Sequence, residues 1–173
     1  MGKMFLVCGI SGVGKTTLSN RMAEKHDLLR IGIDDFYTKV NGNEKDRRNK
    51  FEVWIEFYKA IHEAEMNNID CVVEASGLTK HQRREFVEWF PGFEHHLIFV
   101  EAAADLRNKN NLARNRTVPE WRIAEMEKKV QRPDTDDCEC FDSIAFFGNK
   151  DNVFSEPHMM CGKWSFEEVN YNE

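Results

Sequence analysis

A short stretch near the start of the chain carries the residue types that bind phosphate. It reads CGISGVGKTT, residues 8–17, and its Gly9, Gly14, Lys15 and Thr16 satisfy the spacing G-x-x-x-x-G-K-[ST]. The glycines let backbone amides turn towards phosphate oxygens, and a following helix N-terminus favours negative charge. The lysine adds a positive charge, and the threonine hydroxyl is an oxygen ligand of the kind that Mg²⁺ prefers. The stretch therefore predicts binding of a nucleoside triphosphate with Mg²⁺.

The setting of this stretch supports that interpretation. An apolar, strand-like run, MFLV, precedes it and a helical pattern, TTLSNRMAEKH, follows it. A chance glycine-rich turn with an exposed lysine is the alternative, but such a turn does not require a strand before it and a helix after it. The loop residues expected to contact the nucleotide are Gly9, Ser11, Gly12, Val13, Gly14, Lys15, Thr16 and Thr17.

Acidic residues follow two other strand-like runs. Asp34 and Asp35 come after RIGI, and Glu74 lies near the end of CVVEA. Ligands of an open parallel sheet bind beyond the carboxyl ends of its strands, so these acids are expected near the phosphate loop. Phosphoryl transfer to an acceptor oxygen requires loss of its proton, which predicts Asp34 as general base and Asp35 as a cap or as an orienting neighbour. A plain turn is the alternative for the pair. Glu74 is expected to hold Mg²⁺ through a water molecule, or else to be a solvent-facing charge at a strand end.

A basic run, DLRNKNNLARNRTVP, lies in the second half of the chain. Arginine binds phosphate oxygens in bidentate fashion and stabilises charge on a transferring phosphoryl group. We therefore expect a lid at about residues 105–118, in which Arg114 or Arg116 contacts phosphate. A solvated, charged helix face is the alternative interpretation.

Apolar runs alternate with amphipathic stretches along the chain, which is typical of a parallel sheet with crossover helices. With the phosphate loop, this pattern predicts an α/β protein with the P-loop NTPase fold. The expected architecture has three layers, αβα, with a five-stranded parallel sheet and a helical lid. The predicted strands are residues 3–9, 28–33, 69–75, 95–102 and 141–147.

Two helical stretches are predicted in more detail. Residues 44–67 should form one long helix whose sheet-facing stripe includes Phe51, Ile55, Tyr58 and Ile61, at steps of three and four. Thr117 and Glu120 have the spacing of a capping box, so residues 105–131 should be two helical pieces broken near Thr117.

Charge and cysteine content restrict the class of protein. The 173 residues fit one ordinary domain, and a net charge of -6 gives no overall positive field to attract nucleic acid. Five cysteines at irregular spacing indicate a reducing compartment. The N-terminal apolar run is too short for a signal-peptide core or a membrane span. We therefore expect a cytoplasmic protein that does not contact a membrane.

Together these segments resemble the small P-loop kinases that include polynucleotide 5′-kinase, with gluconate, zeta-toxin and antibiotic kinases as relatives. The similarity covers about residues 3–148. GISGVGKTT resembles the family's phosphate loop, GIDDFY its second-strand aspartate motif, and VVEASGLTKHQRREF its third strand and following helix. NNLARNRTVPEWRIAEMEKKVQRP resembles the lid and the helix after it, and RPDTDDCECFDSI the closing segment.

The resemblance implies roles for individual residues. It implies that Lys15 and Thr16 bind phosphate and Mg²⁺, that Asp34 is the general base, and that Arg114 contacts the phosphates of ATP. The family's usual acid on the third strand is aspartate, which is Glu74 in this chain.

The region expected to hold the acceptor departs from the family pattern. The polynucleotide kinase has an arginine for the acceptor's phosphate just after its aspartate pair, whereas this chain has Tyr37 there and Lys39 two residues on. The basic cluster KHQRRE, residues 80–85, follows the third strand at the same edge. It either contacts an anionic group of the acceptor or is simply the basic start of a helix.

The sequence therefore predicts an ATP- and Mg²⁺-dependent kinase acting on a hydroxyl, with a polynucleotide 5′-OH as the first acceptor. A small hydroxylated metabolite or nucleoside is the alternative, because ASGLTKHQRREF also resembles gluconate kinase. A nucleotide-dependent switch and an inactive kinase-like binder are further alternatives. Residues 1–149 are expected to form the kinase domain, and residues 150–173 a C-terminal tail or sheet-edge extension.

Overall fold

A mostly parallel sheet forms the centre of the computed structural model, which describes residues 1–114, 117–166 and 170–172. Five strands run parallel in the order β2–β3–β1–β4–β5, and two short strands, β6 and β7, each pair with β5 in antiparallel fashion. The predicted α/β fold with a five-stranded parallel sheet is confirmed, with two additional strands at one edge. The strands are β1 (Gly2–Cys8), β2 (Leu29–Gly32), β3 (Cys71–Glu74), β4 (Phe93–Ala102), β5 (Ser143–Lys150), β6 (Val153–Phe154) and β7 (His158–Cys161).

Helices cover both faces of this sheet. Apolar side chains of α3 and α4 form one core with the first face, and side chains of α1 form a second core with the other face. Residues beyond β7, including Trp164 and Tyr171, complete that second core. The helices are α1 (Lys15–His26), α2 (Ile33–Asn41), α3 (Lys50–Met66), α4 (Lys80–Trp89), α5 (Ala104–Ala113) and α6 (Glu120–Lys129), with one 3₁₀ turn at Asp137–Glu139.

The segment after β2 differs from its prediction. Helix α3 begins at Lys50 rather than near residue 44, and a separate helix, α2, precedes it. The buried stripe of α3 is Val53, Phe57, Ile61 and Ala64, whereas Phe51 is 82% exposed. Two apolar rows with similar spacing run along this helix, so periodicity alone could not identify the row that faces the sheet.

The predicted break between two helices is present, but the prediction of a capping box at the start of the second helix is wrong. Helix α6 begins at Glu120, and no side chain caps it. The buried carboxamide of Asn111 instead bonds both backbone groups of Val118, because its Nδ2 donates to the carbonyl oxygen and its Oδ1 accepts from the amide, each at 2.8 Å. Thr117 lies three residues before α6, whereas a capping box would need it at the N-cap, directly before the first helical residue. A capping box does occur at α4, between Thr79 and Gln82.

The basic cluster at residues 80–85 binds the protein's own backbone and acids. Arg83 is fully buried and forms an ion pair at 2.9 Å with Asp137, which is also fully buried. Its other terminal nitrogen donates to the carbonyl oxygens of Gly77, at 3.2 Å, and Gln131, at 2.8 Å. Lys80 forms ion pairs with Asp134 and Asp136. The cluster therefore joins the loop after β3 to the segment before β5.

None of the helices in the described part of the chain is both long enough and apolar enough to cross a bilayer.

Replacing Arg83 tests this buried contact. We expect Arg83→Ala to lower the free energy of unfolding by about 3–5 kcal/mol, because the substitution leaves the Asp137 carboxylate buried and uncompensated. Urea denaturation monitored by tryptophan fluorescence measures the loss. Arg84→Ala is the matched control, since Arg84 is not part of the buried pair; among the described residues it donates to the carbonyl oxygen of Asp136, at 3.2 Å. It should change stability by about 1 kcal/mol or less. Equal losses in the two variants would contradict the assignment.

Candidate active site

The phosphate loop connects β1 to α1 at the carboxyl edge of the sheet. Gly12 and Gly14 have positive φ angles of 87° and 102°, which favour glycine. A Cβ atom on Gly12 would lie 2.5 Å from the carbonyl oxygen of Arg107, so the loop also approaches the backbone of α5 too closely for a side chain. Helix α1 begins at Lys15 without a side-chain cap. Its first amides are therefore available to an anion.

The ammonium group of Lys15 lies inside this loop. Its Nζ donates to the carbonyl oxygens of Gly9, at 2.8 Å, and Ile10, at 3.0 Å. An ammonium group has three donors, so one remains for a ligand. Burial lowers the pKa of Lys15, and the nearby carboxylate of Glu74 partly opposes that change. A phosphate oxygen at this point would therefore stabilise the charged form of the lysine.

Thr16 and Glu74 meet across the edge between α1 and β3. The Thr16 hydroxyl donates to Glu74 Oε1 at 2.6 Å, and Glu74 Oε2 accepts from Arg30 at 2.9 Å. Arg30 also pairs with Asp35, so Asp35 contacts an arginine of β2 and does not cap α2. The arginine thus orients the Glu74 carboxylate towards the phosphate loop.

The oxygen atoms of Thr16 and Glu74 are suitable ligands for a Mg²⁺ ion. Mg²⁺ in nucleotide sites takes one or two protein oxygens and completes its shell with waters and phosphate oxygens. Among the residues that the structure describes, no group of three or more His, Cys, Asp or Glu could hold a metal by itself. The arrangement therefore suits an ion that arrives with a nucleotide, with the Thr16 hydroxyl as a direct ligand and Glu74 as the holder of a bound water.

Asp34 lies in the first turn of α2, beside two arginines. Its Oδ1 accepts from Arg47 at 2.6 Å, and its Oδ2 lies 3.5 Å from a terminal nitrogen of Arg114. Arg114 also donates to Ser11 Oγ at 3.2 Å, so it connects the phosphate loop with Asp34. The guanidinium of Arg47 stacks 3.8 Å from the ring centre of Tyr37. The sequence departure at Tyr37 is therefore accompanied by an arginine from a different segment.

Two cavities adjoin these residues. The larger, about 620 Å³, lies along the phosphate loop and extends to Asn110 and Asn152. The smaller, about 310 Å³, is lined by Asp34, Tyr37 and several cationic side chains. Both cavities share three lining residues, which are Lys15, Glu74 and Arg114. A group bound at these shared residues would therefore adjoin both cavities.

The structure brings most of the predicted site residues to this edge. Gly12, Gly14, Lys15, Thr16, Thr17 and Arg114 line the larger cavity, whereas Ser11 lines the smaller one. The carbonyl oxygen of Gly9 holds Lys15, and Val13 is buried, with its carbonyl oxygen accepting from Asn149 at 2.7 Å. Arg116 lies outside the described residues.

Several cationic residues of the smaller cavity are missing from the sequence-based prediction. They are Arg47, Lys50 and Arg122, and Arg30 stands behind Glu74. Arg47 lies in the charged run NEKDRRNK, which falls at the start of the one long helix predicted from the sequence and whose composition is typical of a solvated face. The run contains two adjacent arginines, and no periodicity or motif distinguishes the one that turns inward.

Comparisons with known proteins identify the family and the fold of this chain. The sequence model of a family described as AAA domain matches residues 4–133. No curated protein sequence matches the chain.

Solved structures show the same fold at low sequence identity. A sugar kinase from Janibacter sp. is 18% identical with a TM-score of 0.60, and the match covers 86% of each chain. A gluconokinase from Sinorhizobium meliloti is 18% identical with a TM-score of 0.58, covering 85% of this chain and 82% of that one. A chain of the Pnkp1/Rnl/Hen1 RNA repair complex is 15% identical with a TM-score of 0.64, covering 75% of this chain and 43% of that one. The resemblance to P-loop kinases is thereby confirmed for the fold.

Substitution of Lys15 tests the phosphate site. We expect Lys15→Ala to weaken binding of Mg²⁺-ATP by about 10–100-fold, because a charge-assisted hydrogen bond contributes roughly 1.5–3 kcal/mol. Isothermal titration calorimetry measures the affinity. Lys25→Ala is the matched control, since Lys25 lies on the same helix but donates to the carbonyl oxygen of Asn170. Unchanged affinity in Lys15→Ala, or an equal loss in the control, would refute the assignment.

Proposed function

This chain belongs to the AAA domain family, and we propose that it is an ATP-dependent kinase that transfers the γ-phosphate to a hydroxyl group. One observation carries the proposal. Two cavities share the lining residues Lys15, Glu74 and Arg114; the larger follows the phosphate loop, and the predicted base, Asp34, lines the smaller. In-line phosphoryl transfer requires a donor and an acceptor on opposite sides of the transferred group. Two adjoining cavities with shared cationic residues are compatible with such a pair of sites.

The donor half corresponds to the larger cavity. ATP would lie along the phosphate loop, where Lys15 and the first amides of α1 bind the β- and γ-phosphates. Mg²⁺ held by Thr16, and through water by Glu74, supplies charge neutralisation across those phosphates. Arg114 stabilises negative charge on the transferring group from the side of the lid.

The acceptor half corresponds to the smaller cavity. A hydroxyl oxygen bound there attacks the γ-phosphorus, the bond from that phosphorus to the bridging oxygen breaks, and ADP leaves. Asp34 receives the hydroxyl proton, which requires that its carboxylate reach the attacking oxygen. Tyr37 and Trp54 also line this cavity, and their rings limit the space open to water.

The lining of the smaller cavity supports a polynucleotide 5′-OH as the first acceptor. Arg47, Lys50 and Arg122 concentrate positive charge there in a chain whose net charge is -6. Local positive charge attracts a phosphodiester backbone even when the protein as a whole is acidic. The structural likeness to a chain of an RNA repair complex is compatible with such an acceptor.

A small hydroxylated metabolite is the second candidate, and the size of the cavity favours it. A volume of about 310 Å³ matches a single sugar acid or nucleoside better than a chain of nucleotides. The sugar kinase and the gluconokinase described above share the fold, and their names indicate acceptors of this kind.

A transfer assay tests the proposal and separates the two acceptors. Purified protein is incubated with Mg²⁺ and γ-labelled ATP, together with 5′-OH DNA, 5′-OH RNA, nucleosides, gluconate or shikimate. Oligonucleotides that already carry a 5′-phosphate are the matched control. Label on the 5′-OH oligonucleotides supports the first acceptor, and label confined to a small molecule supports the second. Release of phosphate with no labelled acceptor would overturn the kinase proposal in favour of a nucleotide-dependent switch.

Asp34→Asn tests the proposed base. We expect the substitution to reduce transfer to the acceptor identified above by about 10²–10⁴-fold, because an amide cannot accept the hydroxyl proton. Affinity for Mg²⁺-ATP should change little. The matched control is Asp35→Asn, since the neighbouring carboxylate contacts Arg30 instead. Full transfer activity in Asp34→Asn would exclude its role as base.

A further inference from the structure

The loop between α2 and α3, residues 42–49, contributes to both cavities. Glu44 lines the larger cavity, and Arg47 lines the smaller one. Asn41 anchors this connecting loop, because its Nδ2 donates at 2.8 Å to the carbonyl oxygens of Asp46 and Arg48. Arg48 lies at the surface and pairs with Asp46 within the loop. The two adjacent arginines therefore have different surroundings.

Arg47 is bound to the carboxylate that the proposed reaction uses. One terminal nitrogen donates to Asp34 Oδ1 at 2.6 Å, and Arg114 approaches the other oxygen at 3.5 Å. Each oxygen of Asp34 thus faces a guanidinium group. Opposite charges nearby favour the ionised form of a carboxylate and so weaken it as a proton acceptor. In this arrangement Asp34 is poorly suited to activate a hydroxyl or a water molecule.

The surroundings of Arg47 would suit an anionic partner. The carbon of its guanidinium group lies 3.8 Å from the ring centre of Tyr37. Contact with an aromatic face leaves the hydrogen-bond donors of the guanidinium available to a partner. Lys15, Lys50, Arg114 and Arg122 line the same cavity, so an anion entering it would meet five cationic side chains.

We propose that Arg47 is a positioning residue. It binds the Asp34 carboxylate while the acceptor is absent and gives up this contact when an anionic acceptor enters. The proposal rests on the kinase function proposed above. An incoming phosphate or carboxylate replaces Asp34 as the partner of Arg47. The Asp34 carboxylate, no longer bound to Arg47, then accepts the proton of the acceptor's hydroxyl.

This exchange specifies the chemistry of the acceptor. Withdrawing Asp34 from a partly buried guanidinium without a substitute would leave a charge uncompensated, which is costly. An acceptor with a negative group near its hydroxyl provides the substitute. A nucleotide phosphate and a sugar carboxylate share this property, so the requirement applies to both candidate acceptors.

The exchange also explains how water could be kept from reacting. In hydrolysis, a water oxygen bonds to the γ-phosphorus, the bond to the bridging oxygen breaks, ADP leaves, and the water proton passes to Asp34. A water molecule has no negative group that could bind Arg47. Arg47 therefore stays bound to Asp34, and hydrolysis stays slow. Loss of Arg47 should remove that protection.

Acceptor-free hydrolysis of ATP is the first test. We expect Arg47→Gln, which keeps the side chain's polar end but removes its charge, to raise the rate about tenfold or more. Arg48→Gln is the matched control and should match the wild-type rate. In the double variant Asp34→Asn, Arg47→Gln the increase should disappear. Hydrolysis that does not rise in Arg47→Gln while ATP binding is retained would overturn the proposal, as would an increase that survives in the double variant.

The acceptor's KM is the second test, using the acceptor labelled in the transfer assay and its analogue without the anionic group. We expect Arg47→Gln to raise KM for the anionic acceptor about tenfold or more and to leave KM for the neutral analogue unchanged. Equal effects on both would overturn the proposal. The proposed function fails separately, through the absence of any labelled acceptor with the wild-type protein, and the hydrolysis test does not depend on that result.

Discussion

A positive charge just after the carboxyl end of β1 is the constraint on which this site depends. The Lys15 ammonium is bound to two carbonyl oxygens of its own loop and lines both cavities. Partial burial lowers its pKa, and neighbouring anions oppose that change. Glu74 supplies part of that compensation, and a triphosphate would supply the rest. The nearby charges are arranged about this ammonium group, with Arg30 orienting Glu74 and Arg114 bonded to Ser11 of the loop.

The order of the strands explains why these groups meet. β1 lies between β3 and β4, and β2 lies next to β3, so the phosphate loop, Glu74 and Asp34 all emerge at one edge. Two further contacts hold the surrounding loops in place. The buried pair of Arg83 and Asp137 joins the loop after β3 to the segment before β5. The carboxamide of Asn111 fixes Val118 between α5 and α6. The fold therefore places Lys15 in the lining of both cavities.

Sequence patterns predicted the parts of this arrangement that are determined by residues close together along the chain. The spacing of the phosphate loop and the runs of apolar residues identify the fold, because backbone conformation and strand burial leave a direct record in sequence. Contacts between segments that are distant along the chain leave no such record. Helix α3 has two apolar rows, and only packing decides that Phe57 is buried while Phe51 is exposed. Arg47 and Arg48 are adjacent in one charged loop, and only tertiary contacts bring the first to Asp34. The capping box expected at Thr117 fails because α6 begins only at Glu120, with Pro119 at the N-cap, which leaves Thr117 outside the helix.

The central claim is that the two cavities are the donor and acceptor halves of a single in-line transfer, with Asp34 as base and not as nucleophile. The stereochemical course at phosphorus tests it most directly. ATP made chiral at the γ-phosphorus with oxygen isotopes is used as donor, and the configuration of the phosphorylated product is determined by ³¹P NMR. One direct displacement inverts the configuration. The account predicts inversion, whereas retention would contradict it, since two successive displacements would require a phosphorylated protein as intermediate.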